Sequence, residues 1–167
     1  LCGGRIARGR GWGDLFESSP SSRQSGGTAT LALMGVKLMA IPEVPYVRFA
    51  GQLSDEERAQ ALEAATVVVV PSPFESLSLL ALEAFAVGTP VLANGRSDVL
   101  VDHCRLSQAG LYYENRDEFV EAMNLLMTDV RLRAAMGRNG RAYIQQHYRW
   151  DVILQKYDRL MAAIRRG

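Results

Sequence analysis

Two glutamates interrupt an apolar segment of the sequence, PSPFESLSLLALEAFAVGTPV, which runs from residue 71 to residue 91. If the segment is helical from Glu75, then Glu83 lies about 12 Å further along the helix axis. Two carboxylates that act on one glycosidic bond are about 5–9.5 Å apart, so this spacing does not fit such a pair. It fits two acids that hold the two ends of one extended ligand. Between them, the N–H groups of a first helical turn at Ser76 to Ser78 would favour an anion.

Each glutamate also has a purely structural interpretation. The helix dipole would favour Glu75 in the first turn of a helix, and Glu83 would simply face solvent. The sequence around Glu83 argues against the second alternative, because Leu79, Leu82 and Phe85 leave little polar helix surface near it. A carboxylate in such surroundings requires a partner.

A second group of polar residues lies near the start of the chain, in LCGGRIARGRGWG. This stretch has the pattern of a buried strand that ends in a glycine-rich turn, and the turn carries Arg8 and Arg10. Its glycines lack the Gly-x-Gly-x-x-Gly spacing of a dinucleotide-binding turn, so NAD is not expected. The turn is followed by apolar residues at helical spacing, namely Trp12, Leu15 and Phe16.

Histidine and serine chemistry is not favoured elsewhere. Ser97, Asp98 and His103 are close in sequence, but the chain has no Gly-x-Ser-x-Gly elbow that would indicate a hydrolase. We expect His103 in a loop and His147 in a C-terminal helix, each with a packing or surface role.

The elements that must position these residues alternate between strands and helices. Strands are predicted up to Ile6 and over residues 29–35, 45–51, 66–72, 89–94 and 110–114. The 66–72 run contains four consecutive valines, which is typical of a strand buried on both faces in the middle of a parallel sheet. Residues 18–28 are rich in serine, glycine and proline, which indicates a polar loop.

Helix boundaries are indicated by capping residues. Ser54 and Glu57 form a capping-box pattern, and Gly88 is a predicted C-cap of the helix that starts at Glu75. Residues 97–104 indicate a short helix or turn. From Asp117 the chain is predicted to be helical almost throughout, with Asp117 and Asp129 as caps and an amphipathic helix at the end.

The alternation predicts an α/β fold, a doubly wound, Rossmann-like parallel sheet flanked by helices. Ligands of such sheets bind at the carboxyl ends of the strands. Functional residues are therefore expected in the loops after Gly3, Gly51, Val70 and Ala93.

Composition is that of one globular domain over residues 1–167, with 48% hydrophobic and 22% charged residues. The net charge of +1 argues against nucleic acid as a partner. Cys2 and Cys104 indicate no disulfide framework, and no apolar run reaches the roughly 20 residues of a membrane helix. We expect a cytoplasmic protein. The sequence opens without Met and within a predicted strand, so a fragment of a longer chain is expected.

Several segments together resemble the retaining glycosyltransferases of the GT-B fold, often called family 4. FESLSLLALEAFAVGTPVLA resembles the Glu-x7-Glu segment of that family, and GGRIARGRGW resembles its Gly-Arg…Lys-Gly turn. VRFAGQLSDEE, GLYYENRDEFVEAM and GRNGRAYIQQHYRWD resemble further family segments, in the same order. The resemblance covers nearly the whole chain and corresponds to the C-terminal, donor-binding half of the GT-B fold.

The resemblance implies a division of roles for a nucleoside-diphosphate sugar donor. Arg5 and Arg10 would hold the diphosphate on the turn that also contains Gly4 and Gly11, Glu75 would contact the sugar, and Glu83 would bind the ribose. Backbone groups would contribute near the phosphate, the sugar and the base, from Ser76, Leu77, Ser78, Gly51, Gln52 and Leu53. No metal cofactor is implied.

The sequence departs from the family pattern in three respects. Arg10 replaces the usual Lys, Ser76 replaces a frequent Gly, and nothing resembles the N-terminal domain that binds the acceptor. The resemblance implies that the C-terminal helix crosses onto that domain, through Trp150, Ile153 and Leu154. Transfer by this chain alone is therefore not expected, and its acceptor is a glycan, lipid or small molecule that the sequence does not identify.

Two alternatives remain at this point. The chain would also fit a non-catalytic nucleotide-sugar-binding module or a fragment of a GT-B nucleotide-sugar epimerase. The basic end RLMAAIRR is compatible with peripheral contact to an anionic membrane, but a solvated helix end favoured by the helix dipole is the preferred explanation.

Overall fold

The protein is described by a computed structural model over residues 1–13, 15–16 and 29–165. Six strands form one parallel sheet in the order β3-β2-β1-β4-β5-β6. The strands are β1 (Cys2–Ile6), β2 (Leu31–Lys37), β3 (Val47–Phe49), β4 (Val68–Val70), β5 (Val91–Asn94) and β6 (Gly110–Tyr113). This order confirms the predicted doubly wound α/β fold. The predicted polar loop at residues 18–28 lies outside the described residues.

The valine-rich strand β4 lies near the centre of the sheet, as its sequence predicts. Val68 and Val70 pack into the core on one face of the sheet, whereas Val67 and Val69 pack into the core on the other. All three residues of β4 and all four of β5 are buried. Strands that are apolar on both faces are stable only where helices cover both faces.

Helices cover the sheet on both sides. They are α1 (Asp55–Ala64), α2 (Leu79–Val87), α3 (Asp98–Ser107), α4 (Arg116–Thr128), α5 (Val130–His147) and α6 (Trp150–Ile164). Phe85 of α2 lies in one core and Phe119 of α4 in the other. Trp12 and Leu15, which have helical backbone, are buried in the same core as Phe119.

Most predicted caps are confirmed. The side chain of Ser54 accepts from the Glu57 N–H and the Glu57 carboxylate accepts from the Ser54 N–H, which completes the capping box of α1. Gly88 ends α2 with a φ of 82°, and Asp129 caps α5. The prediction for Asp117 was wrong. Asn115 is the N-cap of α4, because its side chain accepts from the N–H of residue 118, one turn into the helix.

Helix α2 starts later than predicted, which changes the meaning of the residues before it. It begins at Leu79 and not at Glu75. Residues 71–78, here called the β4–α2 loop, therefore contain Glu75, and the axial distance expected between the two glutamates does not apply. The N–H groups of Ser76 to Ser78 belong to this loop and not to a first helical turn.

Two further expectations are corrected or refined near the end of the chain. Residues 98–107 form a full helix, and His103 lies buried in it rather than in a loop. Helix α6 is amphipathic as predicted, but the described structure buries none of its residues. Trp150 is 79% exposed and Leu154 is 55% exposed. None of the described helices is long and apolar enough to cross a membrane.

Candidate functional site

A cavity of about 140 Å³ opens at the carboxyl ends of β1 and β4. It is lined by Gly4, Arg5, Arg10, Glu75 and Ser78, together with neighbouring backbone. β1 is the strand from which the chain proceeds first to β2 on one side and later to β4 on the other. Loops diverge at such a reversal of strand order and leave a crevice, which is where ligands of doubly wound sheets bind. Five of the predicted site residues thus meet at this crevice.

The cavity contains one ion pair between predicted site residues. Nη1 of Arg10 lies 3.6 Å from Oε1 of Glu75, and the side chains are 36% and 17% exposed. The distance exceeds the 2.7–2.9 Å that is typical of charge-assisted N–H···O bonds. Arg10 is therefore balanced by a carboxylate but not bound tightly to it, and both groups remain available to a ligand.

A close backbone approach joins the arginine-rich turn to the β4–α2 loop. Gly11 has a φ of 74°, and a Cβ atom at this position would lie 1.8 Å from the carbonyl oxygen of Pro71. Only glycine fits both the backbone conformation and the contact. This contact keeps Arg10 beside Glu75.

The β4–α2 loop ends in a strained residue. Ser78 has φ 57° and ψ 73°, a left-handed conformation that is unfavourable for a residue with a side chain. The residue is 5% exposed, and among the described residues its Oγ has no hydrogen-bond partner. Strained and unsatisfied groups of this kind are concentrated at functional sites.

Two buried side chains, one from β5 and one from the loop itself, hold the β4–α2 loop through its carbonyl groups. Nδ2 of Asn94 donates to the Pro71 oxygen at 2.9 Å, and Oγ of Ser72 donates to the Phe74 oxygen at 3.0 Å. Neither Asn94 nor His103, which contacts Leu77, was predicted as a site residue. Asn94 could have been predicted from its position, because it is a polar residue at the carboxyl end of β5, where ligands of such sheets bind.

The other predicted residues of the loop lie at the surface. Ser76 is exposed, and Leu77 is 42% exposed beside the exposed Phe74 and Leu79. None of these three exposed apolar side chains lines the cavity.

Glu83 lies on α2, outside the lining of the cavity. Its Oε1 is 3.1 Å from Nη2 of Arg58, which also contacts Asp55 at 3.2 Å. The sequence predicted that Glu83 requires a partner because its neighbours are apolar, and Arg58 is that partner. Burial raises the pKa of Glu83, while Arg58 lowers it and Asp55 raises it further.

Gly51, Gln52 and Leu53 follow β3 at the same carboxyl edge of the sheet. Gly51 has a φ of 76°, and its carbonyl oxygen accepts from the N–H of Gly35 in β2 at 2.7 Å. Gln52 is exposed, whereas Leu53 is half-buried against the core that contains α2. The loop is thus anchored at Gly51 and Leu53 and presents Gln52 to solvent.

A larger hollow of about 600 Å³ lies beside β6, between α3 and α4. Its residues are committed to structural contacts: Glu118 accepts from the Glu114 N–H, and Arg105 donates to the Tyr112 hydroxyl. Burial raises the pKa of the Cys104 thiol to about 12, which leaves it unreactive. The smaller cavity, with its converging charges, is the stronger candidate.

No cluster of three or more His, Cys, Asp or Glu side chains suited to a metal ion occurs in the part of the chain that the structure describes. The cationic groups at the candidate site are Arg5 and Arg10.

Comparison with curated proteins gives consistent relatives. The chain is 34% identical over 129 residues to a D-inositol 3-phosphate glycosyltransferase of Corynebacterium jeikeium, a match that covers 72% of the chain and 30% of that protein. It is 24% identical over 179 residues to a GDP-mannose-dependent monoacylated alpha-(1-6)-phosphatidylinositol monomannoside mannosyltransferase of Corynebacterium glutamicum, which covers 97% of the chain and 46% of that protein. The chain spans less than half the length of these relatives.

Solved structures share the fold. Anabaena Alr3699/HepE in complex with UDP matches with a TM-score of 0.80 and 20% identity, over 97% of this chain and 48% of that chain. The C-terminal domain of a glycosyl transferase group 1 family protein (LpcC) from Francisella tularensis matches with a TM-score of 0.72 and 19% identity, over 89% and 86%. The sheet and helices are those of GT-B glycosyltransferases.

A family model described as "Glycosyl transferases group 1" matches residues 44–143, which is more than half of the sequence. The matched region contains Gly51, the β4–α2 loop with Glu75, and helix α2 with Glu83. The chain therefore belongs to the glycosyl transferases group 1 family.

Proposed function

We propose that the chain binds the nucleoside-diphosphate sugar donor of a retaining glycosyltransferase of the family 4 type. The observation that carries the proposal is the cavity between β1 and β4, where Arg5, Arg10 and Glu75 converge. Two guanidinium groups suit a diphosphate, because their planar N–H groups match phosphate oxygens. A carboxylate beside them suits the hydroxyl groups of a sugar.

In this proposal Arg5 and Arg10 stabilise the leaving group. Negative charge grows on the nucleoside diphosphate as the bond to the sugar breaks, and fixed cations and amides directed at that charge lower the barrier. Arg10 would leave its 3.6 Å contact with Glu75 for the phosphate. Gly4, in the middle of β1, and the backbone N–H groups of Ser76, Leu77 and Ser78 would complete the anion site. The two arginines would supply the charge that a metal ion supplies elsewhere.

Glu75 would then accept hydrogen bonds from the donor sugar. Its side chain is mostly buried and ends next to Arg10, so a diphosphate bound by Arg10 would bring the donor sugar to this carboxylate. Glu83 would accept from the ribose hydroxyls, and Gly51, Gln52 and Leu53 would contact the base. This arrangement would lay the donor along the carboxyl edge of the sheet from β4 to β3.

Transfer itself would require acceptor-binding residues outside this chain. The regions that align with this chain cover 46% and 30% of the two relatives from Corynebacterium, so each relative is more than twice as long as its aligned region. We propose that residues 1–167 act as one donor-binding unit and that a second domain presents the acceptor. An epimerase or a purely binding module would share the donor site but not the acceptor.

Calorimetric titration of the chain with UDP, GDP, ADP and their sugar conjugates in EDTA tests the donor site. We expect one nucleotide to bind without metal, and Arg10→Ala and Glu83→Ala to weaken it by about tenfold or more. Arg138→Ala removes an equal charge from the exposed surface of α5 and serves as the matched control. Absence of binding to a folded chain, or equal weakening by the control, would contradict the proposal.

A further inference from the structure

Helix α3 contacts the β4–α2 loop through one buried histidine. His103 is 6% exposed, its Nε2 lies 2.9 Å from the carbonyl oxygen of Leu77, and its Nδ1 lies 3.1 Å from the hydroxyl of Tyr143 on α5. We propose that His103 is a positioning residue that holds the Leu77–Ser78 peptide in the orientation required for donor binding. This inference rests on the proposed function.

The contacts of His103 define its tautomer. The carbonyl oxygen of Leu77 can only accept a hydrogen bond, so Nε2 must carry the proton. In the neutral ring Nδ1 is then an acceptor, and the Tyr143 hydroxyl donates to it. The Leu77 carbonyl therefore selects the tautomer, and the Tyr143 hydroxyl, which can donate or accept, is compatible with it.

The peptide geometry transmits this contact to the cavity. In a planar trans peptide the C=O of one residue and the N–H of the next point in opposite directions. Because the Leu77 oxygen points to His103, the Ser78 N–H must point away from α3. Ser78 lines the cavity with Arg10 and Glu75. The imidazole thus fixes the direction of an amide at the anion site.

The strain at Ser78 explains why the peptide needs to be held. A flip of the Leu77–Ser78 peptide by about half a turn would bring the φ of Ser78 from 57° into the negative range that residues with side chains prefer. The flipped peptide would turn a carbonyl oxygen toward the anion site and its N–H away from it. The hydrogen bond from His103 opposes this flip, so its loss would weaken anion binding without touching the ligand.

The test titrates the chain and its variants with UDP, GDP and ADP. We expect His103→Ala to weaken the nucleotide that binds best by about tenfold, the effect of one lost hydrogen bond that orders the site. His103→Gln, whose amide nitrogen can still donate to Leu77, should retain most of the affinity. Tyr143→Phe should show a smaller loss, because the bond from Nε2–H to Leu77 remains and only the contact at Nδ1 is lost.

A second-site change separates peptide positioning from general damage. Glycine adopts positive φ without strain, so Ser78→Gly removes the driving force for the flip. The double variant His103→Ala/Ser78→Gly should bind more tightly than His103→Ala. Ser107→Ala alters another buried polar residue of α3, whose Oγ accepts from the Ala109 N–H at 3.0 Å, and should leave binding unchanged.

Amide hydrogen exchange of the ligand-free chain provides a readout that does not depend on the proposed function. Exchange at residues 76–78 should rise in His103→Ala and not in Ser107→Ala. Wild-type-like affinity and exchange in His103→Ala would overturn the positioning role. If the wild-type chain binds none of the nucleotides, the donor-site proposal and this role in binding both fail. The exchange data would then decide whether His103 orders the loop.

Discussion

Glu75 and Glu83 each face an arginine, but the two ion pairs belong to different parts of the fold. The partner of Glu75 is Arg10, which comes from the turn after β1 and shares the cavity with it at 3.6 Å. The partner of Glu83 is Arg58, which comes from α1 and joins two helices outside the cavity lining at 3.1 Å. The first pair is loose and lies where a ligand would enter. The second is closer and belongs to the scaffold.

The difference shows that each acid in this apolar segment has a partner, but that the two partners come from different parts of the fold. Neither glutamate is an unpaired buried charge, which would be costly. At Glu75 the partner is one that a diphosphate could replace. At Glu83 the partner orients the carboxylate and leaves its second oxygen for another donor. The comparison therefore predicts different responses when each pair is altered.

The largest effect is expected at Gly11, whose backbone contacts Pro71 in the loop that contains Glu75. Gly11→Ala should reduce the free energy of unfolding by about 3 kcal/mol, since it combines positive-φ strain with overlap against the Pro71 carbonyl. Gly9→Ala has a similar φ of 78° but meets no atom within 4 Å, and should cost only about 1–2 kcal/mol. Urea denaturation of both variants measures the difference. Equal losses would show that the approach to Pro71 contributes nothing.

The next prediction distinguishes Glu75 from Glu83 by which ligands bind more weakly when each is substituted. Glu75→Gln should weaken a nucleoside-diphosphate sugar by about tenfold, because a carboxylate hydrogen bond is lost. The same change should leave the nucleoside diphosphate without its sugar bound at least as tightly, since Arg10 is freed from Glu75. Glu83→Gln should weaken both ligands by the same factor, because both carry the ribose. Paired calorimetric titrations measure the ratios, and a common response to the two variants would remove the distinction.

The smallest effect concerns the pH dependence of the Glu83 pair. Burial raises the pKa of Glu83 above its ordinary value of 4.5. The folded chain therefore holds this proton more tightly than the unfolded chain. The contribution of Glu83 to stability is complete below about pH 4.5 and declines as the pH rises through the raised pKa.

Arg58→Met should steepen that decline, because the arginine lowers the pKa of Glu83. We expect a loss of about 0.5–1 kcal/mol at pH 7 and less at pH 4, as for partly exposed ion pairs. Urea denaturation between pH 4 and pH 8 measures it. The double variant with Glu83→Gln should lack the added slope. If the slope persists there, it comes from another group.

The structural features that were predicted correctly are those that local sequence patterns determine. The valine run correctly predicted that β4 is a central strand, because valines on both faces of a strand pack against apolar side chains on both sides of the sheet. The Ser54–Glu57 capping box gave the start of α1, since both hydrogen bonds lie within one turn. The Glu-x7-Glu segment led to the family and to residues that the fold brings to one edge of the sheet. Their individual roles toward a donor stay predictions.

Features that depend on distant contacts were missed. The helix predicted from Glu75 starts at Leu79, because Asn94 and His103 hold the preceding loop in a non-helical path. Arg58 is the partner of Glu83 through the packing of α1 on α2, which no sequence spacing reveals. The strain at Ser78 is likewise a product of the assembled loop.

The position of β1 between β2 and β4 has a consequence for how the chain folds. The Cys2 thiol donates to the carbonyl oxygen of Val69, a contact across 67 positions of sequence. Loops of this length close slowly, and parallel pairing of distant strands delays folding. During synthesis, β1 can pair with β2 early but lacks its second neighbour until β4 has emerged. Among the strand pairs of the sheet, β1 and β4 join the residues most distant in sequence, so the crevice between Arg10 and Glu75 cannot form until β4 has emerged.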